Sequence, residues 1–251
     1  GGGRSLLRGQ CPRRDGGETL IALRGMTWSH PRGIDPLVAH ARGYEATHGV
    51  KITWDARSLE DFEAAGLDAL AAKYDLIVID HPHVGMAGAS RCLLPFDRSI
   101  HFDTVGRSHE SYNYAGQQWA LAIDAAAQVS CRRPNSFKWW PKDWDEVERM
   151  MRRGEVLCPL APIHAFMCFF TLCANKEHPC ATEGPRLIDR QTAQGALRRL
   201  QVWASLLPEF CFSLNPIAAY ERLIQSTRFI YVALIYGYVT YARGEKPGRI
   251  D

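Results

Sequence analysis

No run of 18 consecutive apolar residues occurs in the 251-residue chain, so no stretch reads as a transmembrane helix. The two most apolar stretches, residues 163–174 and 229–242, are too short to span a bilayer and read as buried core elements. An excess of one charge is also missing. Thirty Lys and Arg against 27 Asp and Glu leave a net charge of +3, which implies no nucleic-acid partner and no membrane surface. None of the eight cysteines stands in a CxxC pair, and the scatter of Cys11, Cys92, Cys131, Cys158, Cys168, Cys173, Cys180 and Cys211 shows no disulfide framework, although an even number permits disulfides. Most lie in apolar runs, such as Cys168 and Cys173 in FMCFFTLCA, where a free cysteine acts as a small hydrophobe. Cysteine use alone therefore points to a reducing compartment. There is no GxGxxG after the first strand, no P-loop and no GxSxG, so dinucleotide, nucleotide-phosphate and serine-hydrolase signatures are all missing. Residues 1–17 lack an apolar signal-peptide region and read as a disordered segment, with the folded part starting near Glu18.

What is present is an ordinary globular composition, 46% hydrophobic and 23% charged, over a length that suits one large or two small domains. The most informative stretch is residues 74–85, YDLIVIDHPHVG. Leu76, Ile77, Val78 and Ile79 do not alternate with polar residues, so they read as a strand buried on both faces in the middle of a parallel sheet. The run stops at Asp80-His81-Pro82-His83. Titratable residues at the C-terminal end of such a strand lie where open α/β sheets bind ligands. The plainer reading is that Asp80 caps the following turn and the histidines face water.

Upstream, residues 19–23 form a short apolar strand, and residues 26–34, MTWSHPRGI, a loop. Asp35-Pro36 supplies an N-cap and a first-turn proline for a helix that Gly49 stops. Residues 50–55 alternate as a second strand, and Ser58 with Asp61 approximates a capping box. The order βαβαβ with short loops predicts parallel strands and right-handed crossovers. All strand C-termini then share one edge, which brings Trp28, His30, Arg32, Arg57, Asp80, His81 and His83 to one rim. An aromatic ring beside Asp and Arg suits a polyhydroxylated ligand, because the ring face covers C–H groups while the planar groups fork onto hydroxyls.

Residues 92–97, CLLPFD, read as a return to the core, and residues 98–116 as a loop region. In residues 118–129 Trp119, Leu121 and Ile123 alternate, and Asp124 then breaks the pattern before small residues. A segment passing a ligand or crossing between lobes would use small residues this way; a plain buried strand turning at Asp124 is the alternative. Beyond it the α/β logic restarts. Asp143 and Asp189 cap helices, residues 156–160 and 229–235 are strands, and Asn215-Pro216 starts another helix. The chain divides into a first lobe, residues 18–118, an inter-lobe crossing, residues 119–127, and a second lobe, residues 128–251.

LRGMTWSHPRGIDPL, WDARSLEDFE, YDLIVIDHPHVG, CLLPFD, WALAIDAAAQV, FFTLCAN, NPIAAYE and LIYGYVTYAR, taken in register, resemble the family 1 extracellular solute-binding proteins of carbohydrate ABC transporters. The resemblance implies a two-lobed α/β clamshell of the type II periplasmic-binding-protein kind, with a sugar or sugar derivative bound in the cleft. It also implies a periplasmic or extracellular, membrane-associated protein that acts as a monomer, delivers its ligand to a membrane permease, and uses neither catalysis nor cofactor. Proteins of the family are typically longer and return to the first lobe after the point where this chain ends. On that basis the chain corresponds to a protein truncated at its C-terminus, with the first lobe lacking its return. Under this reading Trp28 stacks on the ligand, and His30, Arg32, Asp80 and His81 hydrogen-bond it from the first lobe. Asp124 reaches it from the crossing, and Asn175, Tyr236 and Tyr238 from the second lobe, unless the tyrosines are packing residues. His164, at the head of an apolar helix, reads as a capping residue. The competing class is a metal-dependent α/β enzyme in which the Asp80-His81-Pro82-His83 loop and His30 supply ligands.

Overall fold

A computed structural model describes residues 21–64, 66–97, 103–136, 138–181 and 185–243. The N-terminal segment 1–17 and residues 19–20 of the expected first strand lie outside them.

The first strand, β1 (Ile21–Trp28), is exposed in its first half and fully buried from Gly25 to Trp28. It pairs in parallel with β2 (Val50–Arg57) along its whole length, ending at Trp28 opposite Arg57. The expected loop at 26–34 therefore shrinks to Ser29 and His30. The helix α1 (Pro31–His48) also starts earlier than Asp35-Pro36. The His30 ring accepts from the Arg32 backbone N–H at 3.1 Å, Pro31 occupies the first turn, and Pro36 lies inside the helix. Two X-Pro starts competed here, and the one with an imidazole cap won. Gly49 ends α1 at φ 67, donating to the Glu45 carbonyl, which is the left-handed stop glycine supplies best. Short helices α2 (Leu59–Ala64) and α3 (Leu67–Ala71) follow. The Asp61 N–H donates to Ser58 Oγ at 3.1 Å, and Ser58 O–H donates to Asp61 Oδ2 at 2.8 Å.

The strand β3 (Leu76–Ile77) pairs with β1 for only two residues, in parallel, in a sheet ordered β2-β1-β3. The central strand is β1 and not residues 76–79 as expected: β3 lies at an edge of this sheet, with Leu76, Ile77 and Val78 half-buried and only Ile79 buried, because the chain crosses back over β1 after β2. The chain crosses to one side of β1 and then to the other, so the crossover direction reverses between β1 and β3. A reversal of this kind opens a crevice outside the strand C-termini, where α/β sheets bind ligands.

His81–His83 forms a 3-10 turn into α4 (Val84–Ser90). Residues 92–97 do not return to the core as expected: Leu94 is 90% exposed and Phe96 41%, the latter bridging to Gln118. The hairpin of β4 (Asn113–Tyr114) and β5 (Gln117–Gln118) turns on Ala115 and Gly116, both at positive φ as a two-residue type I′ turn requires. Trp119 is buried against Leu67, Ile79, Val84 and Ala87 of the first lobe. Residues 119–127 then run without a ladder partner, and Ala127 accepts from the Gly237 N–H at 3.2 Å.

The second lobe is built on β6 (Gln128–Arg132), β7 (Val156–Leu157) and β8 (Tyr231–Tyr236), ordered β6-β8-β7, with β6 antiparallel and β7 parallel to β8. β8 is buried from Tyr231 to Ile235, which matches its unbroken apolar run. Around it pack α5 (Trp144–Arg152), α6 (Pro162–Ala174), α7 (Arg190–Leu206) and α8 (Pro216–Gln225), and α9 (Val239–Ala242) follows β8. Asp143, Asp189 and Asn215 each accept from a backbone N–H three residues on, the N-caps that the sequence predicts. The expected strand at 156–160 is shorter, because Leu160 and Ala161 bond to the Cys211 and Leu214 carbonyls instead.

Candidate functional site

The C-terminal ends of β1 and β3 lie beside the crossing segment and the residue that follows β8. Arg32, on the first turn of α1, is the residue that joins them. Its Nε donates to Asp124 Oδ2 at 2.9 Å, its Nη2 donates to the same oxygen, and its Nη1 donates to the Gly237 carbonyl at 2.9 Å. The guanidinium lies 4.5 Å over the Tyr238 ring and 5.8 Å from the Trp28 ring, and the side chain is only 15% exposed. One side chain thus ties the first lobe to the crossing and to the second lobe through charge-assisted bonds.

Asp80 sits at the end of β3 on the same rim. It keeps contact with solvent, yet protein packed around its carboxylate raises its pKa despite the opposing pull of His83, His81 and Arg32; the Asp124 charge adds to the rise. The His83 Nδ1 is 3.2 Å from the Asp80 carbonyl, and His81 is exposed. Tyr112, just before the hairpin, donates its O–H to the Ile79 carbonyl at 3.2 Å. Burial pushes its pKa up to about 12, and the charges of Asp80 and Asp124 act the same way. Tyr112 belongs to this group although it lies in a segment of weak periodicity that carried no sequence signal.

Two expected rim residues are elsewhere. Trp28 is 7% exposed and packs in the first-lobe core with Met26, Phe62 and Leu70, its ring 5.8 Å from Phe62. It lies flat on Gly33, where an added Cβ would come within 2.5 Å of the ring. It is a core residue because β1 continues through it and buries it. His30 is 4% exposed, edge-on to Tyr238 at 4.6 Å and 6.1 Å from Tyr241, with Nδ1 used as the α1 cap. Its ring supports Tyr238 and does not reach out as a rim donor. Tyr238 is itself 6% exposed and forms the floor under Arg32. Tyr236 is half-buried, and its carbonyl accepts from the Tyr220 O–H at 3.1 Å. Asn175 is exposed after the last turn of α6, and no described contact joins it to Arg32, Asp80 or Asp124.

The structure therefore brings together Arg32, Asp80, His81, His83, Tyr112, Asp124 and the Tyr238 floor. Asn215 Nδ2 donates to Glu60 Oε1 at 3.3 Å, a second place where the lobes touch. The cavities of about 510 and 630 Å³ on the second lobe, one lined by Leu214, Glu221, Arg222 and Phe229 and the other by Glu209, Phe210 and Phe212, include none of the expected site residues. Among the described residues no three His, Cys, Asp or Glu side chains are grouped to hold a metal ion. The His30 nitrogen invoked for a metal-dependent enzyme is packed against tyrosine rings. Carboxylate acceptors and imidazole donors on one rim fit a ligand rich in hydroxyl groups.

No protein-family model matches the sequence, and no curated protein does. Among solved structures the chain is similar to a cyclo/maltodextrin-binding protein complexed with maltotetraose, at 17% identity and a TM-score of 0.57 over 89% of this chain. It is similar to the Thermus thermophilus maltotriose binding protein, at 17% identity and a TM-score of 0.62 over 86% of this chain. It is also similar to the maltose-maltodextrin binding protein of Alicyclobacillus acidocaldarius, at 10% identity and a TM-score of 0.63 over 86% of this chain. The chain spans 61% of the length of each. The fold of this chain is the two-lobed α/β clamshell that these sugar-binding proteins share.

Proposed function

We propose that this chain binds a sugar or sugar derivative between its two lobes and acts as the solute-binding protein of a carbohydrate ABC transporter. The observation that carries the reading is the placement of Asp80 and Asp124, one at the β1/β3 switch point and one on the crossing, around an arginine that touches both lobes. A polyol bridging the two carboxylates would contact first lobe and crossing at once, and would stabilise the arrangement that presents both. The likeness to maltose- and maltodextrin-binding folds supports the sugar class. In this role the protein works outside the cytoplasm as a monomer, delivers its ligand to a membrane permease, and neither transforms it nor uses a cofactor.

A thermal-shift screen tests the reading with maltose, maltotriose, maltotetraose and a panel of mono-, di- and acidic sugars. At least one sugar raises the melting temperature saturably, and excess chelator leaves that shift unchanged. A flat response to every sugar overturns the proposal, and a chelator-sensitive shift restored by zinc moves the chain to the metal-enzyme class.

A further inference from the structure

Both Cys158, just after β7, and Cys168, in the middle of α6, are 0% exposed, and their sulfurs stand 3.9 Å apart. Cys168 Sγ also accepts from Gln128 Nε2 at 3.6 Å, and the Gln128 amide is held by Thr171 O–H donating to its Oε1 at 2.6 Å. We propose that Cys158 and Cys168 form a redox site, a buried dithiol that closes to a disulfide linking the second-lobe sheet to α6.

The two thiols are not equivalent. Either sulfur can donate in the contact between them, but Gln128 Nε2 donates to Cys168 Sγ alone, which favours the thiolate on Cys168. Cys168 is thus the nucleophile. Its thiolate attacks a small-molecule disulfide of the glutathione class, forming a mixed disulfide and expelling one thiolate. The Cys158 thiolate then attacks Cys168 Sγ, closes the protein disulfide and expels the second thiolate. Both expelled thiolates take up the two protons lost by the cysteines, so the chain loses two hydrogens and the oxidant becomes two thiols. Because both sulfurs are buried, the exchange takes place during folding or local opening.

The site touches the crossing. Gln128 is the first residue of β6 and pairs with Tyr236, and its neighbour Ala127 accepts from the Gly237 N–H. Closing the bond brings the sulfurs from 3.9 Å to about 2 Å, at the atom that Gln128 also contacts. A second thiol pair, Cys173 and Cys180, is in hydrogen-bond contact at the end of α6 and has to be removed from the test.

The experiment refolds the Cys173→Ser/Cys180→Ser chain in mixed reduced and oxidised glutathione, quenches with acid, alkylates and digests with chymotrypsin, which cuts at Leu160 and Phe166 between the two cysteines. A parallel sample stays in guanidinium. The linked Cys158–Cys168 peptide should be enriched about tenfold or more in the refolded sample, because the native contact raises the effective concentration of one thiol at the other. Equal or lower enrichment than in guanidinium, or full alkylation of both thiols, overturns the proposal. If the double variant does not fold by circular dichroism, the parent chain decides, since its linked peptides differ in mass for each pair.

Discussion

Trp28 shows how burial changes the meaning of a residue. As a ring on an open rim its loss would weaken ligand binding and spare the fold. Packed on Gly33 and beside Phe62, it fills first-lobe volume, so Trp28→Ala should cost about 3–5 kcal/mol of stability by denaturant unfolding. A stable variant with weakened sugar binding would return Trp28 to the site. Asp80 predicts the opposite pattern. Its pKa is raised in the fold, so its ionisation opposes folding from about its ordinary value of 3.8 upward. Asp80→Asn should therefore match or exceed the parent in melting temperature at neutral pH, with the advantage shrinking as pH falls toward that value. His164 is 3% exposed at the head of α6, and burial pulls its pKa from 6.5 down to about 4. The folded ring stays neutral while the unfolded one protonates, so this stability is present above 6.5 and is lost as pH falls from 6.5 to about 4. The loss is on the order of 3 kcal/mol, and His164→Leu should flatten that stretch of the stability-versus-pH curve. An unchanged slope would show that His164 is solvated.

At the scale of elements, the caps were legible because they are local: Asp143, Asp189 and Asn215 each needed only a side-chain oxygen and a following helix pattern. The start of α1 was not, since His30-Pro31 and Asp35-Pro36 carry the same kind of signal and tertiary contacts of Arg32 and His30 chose between them. The site divided along the same line. Arg32 and Asp80 could be placed from the rule that strand C-termini share an edge, and Asp124 from the break in alternation ahead of a run of small residues. Tyr112 could not, because only the hairpin after it brings its hydroxyl to Ile79. Nor could the length of β3, which depends on how long its neighbour stays alongside. Asn215 combines a cap with an inter-lobe contact to Glu60. Asn215→Ala should cost about 1 kcal/mol through the cap alone, whereas Asn215→Asp keeps the cap and turns the Glu60 contact repulsive. Both variants lose the Glu60 hydrogen bond, so comparing their melting temperatures sets the cap against the repulsion; equal losses would mean that repulsion from Glu60 costs as much as the missing cap.

For the whole molecule, Arg32 joins the first lobe to the crossing and to the second lobe, and Asp80 lies on the rim where a sugar is proposed to bind. The most direct test is isothermal titration of the sugar giving the largest thermal shift into the parent chain and into Asp80→Asn. The account predicts saturable binding to the parent and an affinity at least about tenfold weaker in the variant, about 1.4 kcal/mol, with its melting temperature no lower than the parent's. Binding of equal strength in both proteins, or no heat with any sugar, would contradict it.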